Sequence, residues 1–181
     1  MSLFPLFLKL AGRKVLVVGA GPVALGKVQA LLEAGARVSV VAPEVVPEIA
    51  SLAEQGNISL CHRSFETKDL EGTWLVVAAA PPEVNRSVAA AAESQRLYVL
   101  AVDDTSAASA YGAGTLRRGG VTVAVSTNGR APALAGLLRE GLEAVLPEDL
   151  EAWTAEAERQ RQAWHAAHVA VLALDALLAR G

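Results

Sequence analysis

Val15-Leu16-Val17-Val18-Gly19-Ala20-Gly21-Pro22-Val23-Ala24 is a β-branched run that stops on two closely spaced glycines. From Pro22 to Glu33 apolar residues recur at helical spacing, and Gly35 supplies a C-terminal stop. Arg37-Val38-Ser39-Val40-Val41 is a second apolar strand, ending at Ala42-Pro43. Strand, tight turn, helix and strand within about 30 residues make a βαβ unit. In that setting Gly19-x-Gly21-x-x-Ala24 fits the dinucleotide fingerprint in its G-x-G-x-x-A form. The first glycine permits the turn, the second lets the backbone approach a pyrophosphate, and Ala24 lets the helix close on the strand. Phosphate oxygens then face the amides at the helix N-terminus. The plainer alternative is that both glycines serve only a tight turn.

Working outward, the spacing predicts a helix over Val46–Glu54 and a short strand near Ile58–Cys61, with Cys61 filling a buried strand position. Trp74–Ala78 reads as a strong apolar strand. Pro81-Pro82-Glu83 opens a helix that runs to about Ser94, and Leu97–Val102 is the next strand, ending in Asp103-Asp104. Strands alternating with helices predict an α/β fold, a Rossmann-type doubly wound parallel sheet with helices on both faces. Ligands collect at the C-terminal strand ends of such sheets. The expected cofactor walls are therefore Gly19, Gly21, Pro22, Val23 and Ala24, with Ala42, Pro43, Ala79 and Ala80 at neighbouring strand ends. Asp103 sits on the same side and has two readings of equal weight: a base, or simply part of a turn that Asp103 or Asp104 caps through its side chain. The acidic residue that usually follows the second strand has no counterpart at Ala42-Pro43. Glu44 is either its replacement on the ribose or a surface residue, so NAD and NADP are not separated by the fingerprint.

Past Ala107 the chain changes character. Small residues fill Ser106–Gly114, Gly119-Gly120 marks a turn, and Val121–Val125 is a strand. Pro132 opens a helix striped by Leu134, Leu137, Leu138, Leu142 and Val145 that ends near Pro147, and Glu148–Arg180 is again helical in pattern. The expected organisation is a nucleotide-binding domain over 1–112, a small α+β module over 113–147 and a helical tail over 148–181.

The 181 residues are 52% hydrophobic and carry a formal net charge of −3 with few aromatics. That balance disfavours nucleic acid as a partner. Lys9, Lys14, Lys27, Asp103 and Arg117 interrupt every apolar stretch before membrane-spanning length, and the N-terminus lacks the basic region of a signal peptide. A lone Cys61 points to a reducing cytoplasm. No Tyr is followed four residues later by Lys, against a short-chain carbonyl reductase. His165 and His168 lie three apart on a predicted helix without a third ligand in motif spacing, so a solvated face is expected there and no metal site.

Taken together, Phe4-Pro5-Leu6-Phe7-Leu8, Lys14 through Gly21, Val23-Ala24, Lys27, Val38 through Pro43, Val102-Asp103-Asp104, Ala124 through Gly129 and Leu137-Leu138-Arg139-Glu140 resemble the precorrin-2 dehydrogenase family, the dehydrogenase module of sirohaem synthases. The resemblance covers about the first 147 residues in order. It implies NAD-dependent oxidation of precorrin-2 to sirohydrochlorin, with Fe2+ insertion in some members, and an intertwined homodimer built through the second module. It places Asp103 on the family's acid/base aspartate. Ser126, Thr127, Asn128 and Gly129 fall on a Ser/Thr-Gly loop near the active site. The substrate is a polycarboxylate, and Arg117, Arg118, Arg130 and Arg139 concentrate charge suited to gripping it, Arg117 and Arg130 foremost; the alternative is that several only solvate surfaces. Ala79-Ala80-Pro81-Pro82 departs from the family's Ala-Thr, which removes a hydroxyl near the cofactor. Ala113 replaces a usual Pro, with Ala110 and Gly112 smaller than the family norm. Without the fused methyltransferase domain the chain is not expected to make precorrin-2 itself. A different class of function, a non-catalytic NAD-sensing Rossmann regulatory module, needs the glycine turn but no acid/base at Asp103.

Overall fold

The computed structural model describes residues 3–102, 104 and 106–178, with residues 166–178 described as backbone only. Two compact units divide the chain, Met1–Gly112 and Ala113–Gly181.

In the first unit, β1 (Lys14–Val18), β2 (Arg37–Val41), β3 (Ser59–Cys61), β4 (Leu75–Ala78) and β5 (Tyr98–Ala101) form one sheet in the order β3-β2-β1-β4-β5. All four pairings are parallel. The helices are α1 (Pro22–Glu33), α2 (Pro47–Glu54) and α3 (Pro82–Ser94), with a 3-10 turn at Thr67–Leu70. Side chains alternate between the faces, as the two-residue period of a strand demands. Val15, Val17, Val38, Val40, Leu75 and Val77 pack with Ala24, Val28, Leu31 and Ile49 of α1 and α2. Leu16, Val18, Val41, Val76, Ala78 and Val99 pack with Leu70, Val88 and Ala92 on the other side. With both faces covered, the strands can be apolar throughout, which is why they read as runs in the sequence. The expected doubly wound sheet is therefore the fold, and its strand order reverses between β1 and β4.

Gly35 ends α1 in the left-handed region at φ 73°, with its amide on Leu32 O and the Ala36 amide on Leu31 O. That paired pattern closes the last carbonyls of a helix. Gly56 does the same for α2 and Arg96, at φ 57°, for α3.

Cys61 requires a correction. It is exposed, because β3 is a three-residue strand at the sheet edge and its last side chain has no covering element. Beyond it, Arg63 donates to both carboxylate oxygens of Asp69, at 2.8 and 2.6 Å, tying the exit of β3 to the 3-10 turn. The guanidinium hydrogen bonds, helped by the Glu66 amide, hold the Asp69 carboxyl below the ordinary Asp range. A carboxyl with a lowered folded value stabilises above its unfolded pKa and loses that contribution as pH falls through the folded one. Asp69→Asn is thus expected to lower the urea midpoint at about pH 7 and to approach the wild type at about pH 2. A constant difference across that range would assign the loss to packing.

The second unit pairs β6 (Gly114–Arg118) with β7 (Val121–Val125) antiparallel, followed by α4 (Pro132–Val145) and α5 (Leu150–Leu178). Gly119 and Gly120 both have positive φ, 52° and 78°, which suits a two-residue hairpin turn between right-twisted strands. β6 is not evident in the sequence, since Leu116 is the only apolar side chain among polar neighbours. It exists because the Gly119-Gly120 turn folds it onto β7. A Cβ on Gly119 would lie 2.3 Å from the Glu151 amide nitrogen, so α5 begins directly against this turn. Thr154 Oγ1 donates to Gly119 O at 2.9 Å there. The buried apolar core of this unit is thin, consisting of Leu116, Ala135 and Leu150 among the described residues.

Candidate dinucleotide and substrate site

The C-terminal ends of β1, β2 and β4 converge on Gly19. Its amide donates to Val41 O at 2.9 Å, and the Ala79 amide donates to Val18 O at 2.8 Å. Gly19 has φ 104°, and a Cβ there would fall 2.2 Å from Ala79 O. Both the left-handed backbone and the contact with β4 therefore demand glycine at 19. Gly21 is different. It is the N-cap of α1 with an ordinary extended backbone, φ −86° and ψ −175°, and a Cβ there would meet nothing within 4 Å. Nothing in the fold explains its missing side chain, whereas a pyrophosphate lying against the backbone does. No side chain caps α1 and no acidic residue stands in its first turn, so the amides there are open to an anion. These residues fit a dinucleotide.

Around that centre Pro22 and Val23 are exposed, while Ala24 is fully buried against the sheet. Ala42 is buried at the end of β2, with Pro43 and Glu44 exposed beyond it. Ala79 and Ala80 are half-buried. The nine expected cofactor positions thus share one edge of the first sheet. Asn85 belongs with them and was not expected. Its side chain is 2% exposed, and Oδ1 accepts the Ala80 amide at 3.0 Å, fixing the turn from β4 into α3. An Asn one turn inside a helix that opens with Pro81-Pro82 is the sequence signal for it, because its side-chain oxygen can reach back over the first turn and accept an amide that precedes the helix.

Asp103 lies outside the described residues. Asp104 is described, and its Oδ1 accepts from the Ser106 amide at 3.0 Å, the Ser106 hydroxyl at 2.6 Å and the Ala107 amide at 3.2 Å. Chiefly through the Ser106 hydroxyl, its carboxyl is held below the usual range. Capping of this turn is therefore the work of Asp104.

In the second unit Thr127, Asn128, Gly129 and Arg130 make a tight turn closed by the Arg130 amide on Thr127 O at 3.1 Å. Asn128 and Gly129 are both left-handed, φ 57° and 73°. Ser126 Oγ accepts the Asn128 amide and Thr127 Oγ1 the Ala131 amide, each at 3.1 Å. Each hydroxyl keeps its O–H as a donor. Arg130 is exposed beside this turn. Arg117 is exposed too but away from the turn, for it pairs across the ladder with Thr122, three registers from the Gly114–Val125 pair that adjoins the turn. Arg118 donates to Leu146 O at 2.6 Å, and Arg139 pairs with Glu143 at 2.7 Å and Glu140 at 3.2 Å. Those two arginines serve the second unit's own structure. His165 is exposed on α5 with its ring edge against Trp164, and the side chain of His168 lies outside the described residues. Among the described residues no group of three or more potential metal ligands is assembled, and no helix is long and apolar enough to cross a membrane.

A family described as putative NAD(P)-binding matches residues 6–112, the unit that holds Gly19 and Gly21. The chain belongs to that family. A second match, to the sirohaem biosynthesis protein central family, covers residues 118–144 of this NAD(P)-binding chain. Siroheme synthase 3 of Aeromonas hydrophila is 44% identical over 163 residues, 90% of this chain and 35% of the relative. Siroheme synthase 1 of Aeromonas salmonicida is 44% identical over 153 residues, 84% of this chain and 33% of the relative. The chain thus spans about a third of the length of the relatives it matches. Among solved structures, SirC, a precorrin-2 dehydrogenase, is similar at TM-score 0.69 and 26% identity, covering 84% of this chain and 76% of that one. The resemblance read from the motifs is upheld on these findings.

Proposed function

We propose that the chain oxidises precorrin-2 to sirohydrochlorin with NAD in sirohaem biosynthesis. The observation that carries this reading is the likeness to SirC, which extends over 84% of the chain and thus beyond the nucleotide-binding unit. The macrocycle must give up a hydride and a proton, and bound NAD supplies the hydride acceptor. The chain's own residues do the rest. The open backbone at Gly21 and the first turn of α1 hold the pyrophosphate, with Ala42-Pro43 and Ala79-Ala80 as walls. Glu44, exposed past β2, suits a ribose 2′-hydroxyl and would repel a 2′-phosphate, which favours NAD over NADP. Asp103 takes the proton as a carboxylate. Ser126, Thr127 and Arg130 donate to substrate carboxylates. Arg117, away from that turn, contacts a different part of the substrate. The second unit comprises a module over 113–147 that joins two copies and a helical region over 148–181.

The test is an anaerobic absorbance assay of the purified chain with precorrin-2 and NAD, following sirohydrochlorin and NADH together. Coupled appearance of both is expected. NAD binding without turnover would favour a regulatory module instead.

A homodimer is the reading that α4 supports. Leu134, Leu137, Leu138 and Val145 form one exposed apolar stripe, with Leu137 65% and Val145 73% accessible. A stripe of that kind on a unit with so thin a core calls for a partner, and a second copy offers a matching one. Leu137→Glu is expected to halve the mass seen by light scattering without lowering monomer stability, because the side chain is already exposed. An unchanged mass would move the interface elsewhere. The lone exposed thiol of Cys61 accords with a cytoplasmic setting.

A further inference from the structure

We infer that Lys27 binds a carboxylate of the tetrapyrrole substrate at the C-terminal edge of the first sheet, an assignment that rests on the function proposed above. Five Lys or Arg side chains are half-buried among the described residues: Lys14, Lys27, Arg63, Arg118 and Arg139. Four of them are occupied. Lys14 donates to Asp69 O and Glu71 O, Arg63 to Asp69, Arg118 to Leu146 O and Arg139 to Glu143. Lys27 has neither a hydrogen bond nor an ion pair with any described residue. An ammonium partly withdrawn from water with no anion beside it among the described residues is poised to gain from one.

Its surroundings say where that anion comes. α1 runs from Pro22 at the strand ends back along the sheet, and helical side chains tilt toward the helix N-terminus. The stem of Lys27 therefore leads its ammonium back toward the edge that carries Gly19 and Gly21. Nζ lies 3.6 Å from the point a Cβ would occupy on Gly112, and Leu100 Cδ1 lies 3.8 Å from that same point. Ala110 bridges Leu100 in parallel register, two residues before Gly112 in the chain, so Gly112 lies by the C-terminal part of β5. Gly112 is not one of the left-handed glycines. Its lack of a side chain does not serve the backbone, and a Cβ there would sit in ordinary contact with both the ammonium and Leu100. The cation, a bare stretch of backbone and β5 meet there. A polycarboxylate macrocycle whose reacting carbon is served by Asp103 can set one carboxylate on Lys27, which orients the ring without entering the proton transfer.

The cofactor pyrophosphate is the rival anion, and the experiment separates the two. Sirohydrochlorin, which carries the same carboxylates as the substrate, and NADH are titrated separately onto the full-length wild type, Lys27→Met and Lys27→Arg, with steady-state kinetics alongside. Lys27→Met is expected to weaken sirohydrochlorin and raise KM for precorrin-2 by about tenfold, with kcat changed less than about threefold and NADH affinity within about twofold. Lys27→Arg should recover most of the loss, and added salt should weaken the wild type more than Lys27→Met. Unchanged sirohydrochlorin affinity in Lys27→Met overturns the assignment, as does a proportional loss of NADH. A wild type that binds NADH but not sirohydrochlorin overturns the proposed function itself, a result distinguishable from failure at Lys27 alone.

Discussion

Gly21→Asp is expected to abolish NAD binding while leaving the chain at least as stable as the wild type. Gly19→Ala is expected to cost the fold. Two glycines two residues apart thus give opposite stability results, and the reason is geometric. Gly21 has the extended backbone of an N-cap, φ −86° and ψ −175°, with no atom within 4 Å of an added Cβ. Asp is among the best N-caps and complements the helix dipole, so the substitution supplies α1 with a side-chain cap, worth about a few tenths of a kcal/mol relative to glycine. The same carboxylate occupies the place where a pyrophosphate meets the helix and repels it, so the NAD dissociation constant should rise by more than about a hundredfold, some 2.7 kcal/mol. At Gly19 an added methyl meets Ala79 O at 2.2 Å on a backbone at φ 104°. The strain of that conformation is about 1–3 kcal/mol, and β1 must also part from β4, in a domain whose whole stability is on the order of 5–15 kcal/mol. Urea unfolding and calorimetric NAD titration of both variants check this. A destabilised Gly21→Asp chain would make Gly21 a turn residue only, and an unperturbed Gly19→Ala chain would remove the close approach of β1 and β4 from the argument.

The contrast also marks what the residues alone could convey. The glycine spacing identifies the turn, but the separate reasons for Gly19 and Gly21 come only with Ala79 in place, a contact between residues sixty positions apart in the chain. β1, β2 and β4 are legible because each is buried on both faces, so burial appears directly as a β-branched run. β6 is not legible, because its burial falls on Leu116 alone and its existence depends on the hairpin turn that follows. Cys61 misleads for the converse reason: an apolar-looking residue at the end of a short edge strand has nothing to bury against. Asn85 escapes notice because a polar residue inside a helix ordinarily faces water, and its role appears only once the Ala80 amide is known to need an acceptor. Among the arginines the sequence shows charge but not commitment, and Arg118 and Arg139 prove to be bound within their own unit.

Asp103→Asn is expected to lower kcat by about a hundredfold to ten-thousandfold, the range general acid–base catalysis contributes, while NAD affinity stays within about twofold. The prediction draws its sharpness from the neighbouring carboxylate. Asp104 accepts from the Ser106 amide and hydroxyl and from the Ala107 amide, and these bonds, the hydroxyl first, hold its carboxyl ionised below the ordinary Asp range. Those bonds to Oδ1 favour the ionised form, so Asp104 is a weaker base than an ordinary carboxylate. Asp104→Ala should therefore lower the melting temperature, the signature of a lost cap, whereas Asp103→Asn should not. The pH profile separates them further. Where Asp103 is the base, kcat/KM falls on the acid side as its carboxylate is protonated, and Asp103→Asn removes that limb along with the rate. A variant that retains the acid limb at reduced height would place the base elsewhere. Loss of NAD affinity in proportion to kcat, with a lowered melting temperature, would make Asp103 a structural partner of the loop after β5 and leave the proton without an acceptor in the first unit.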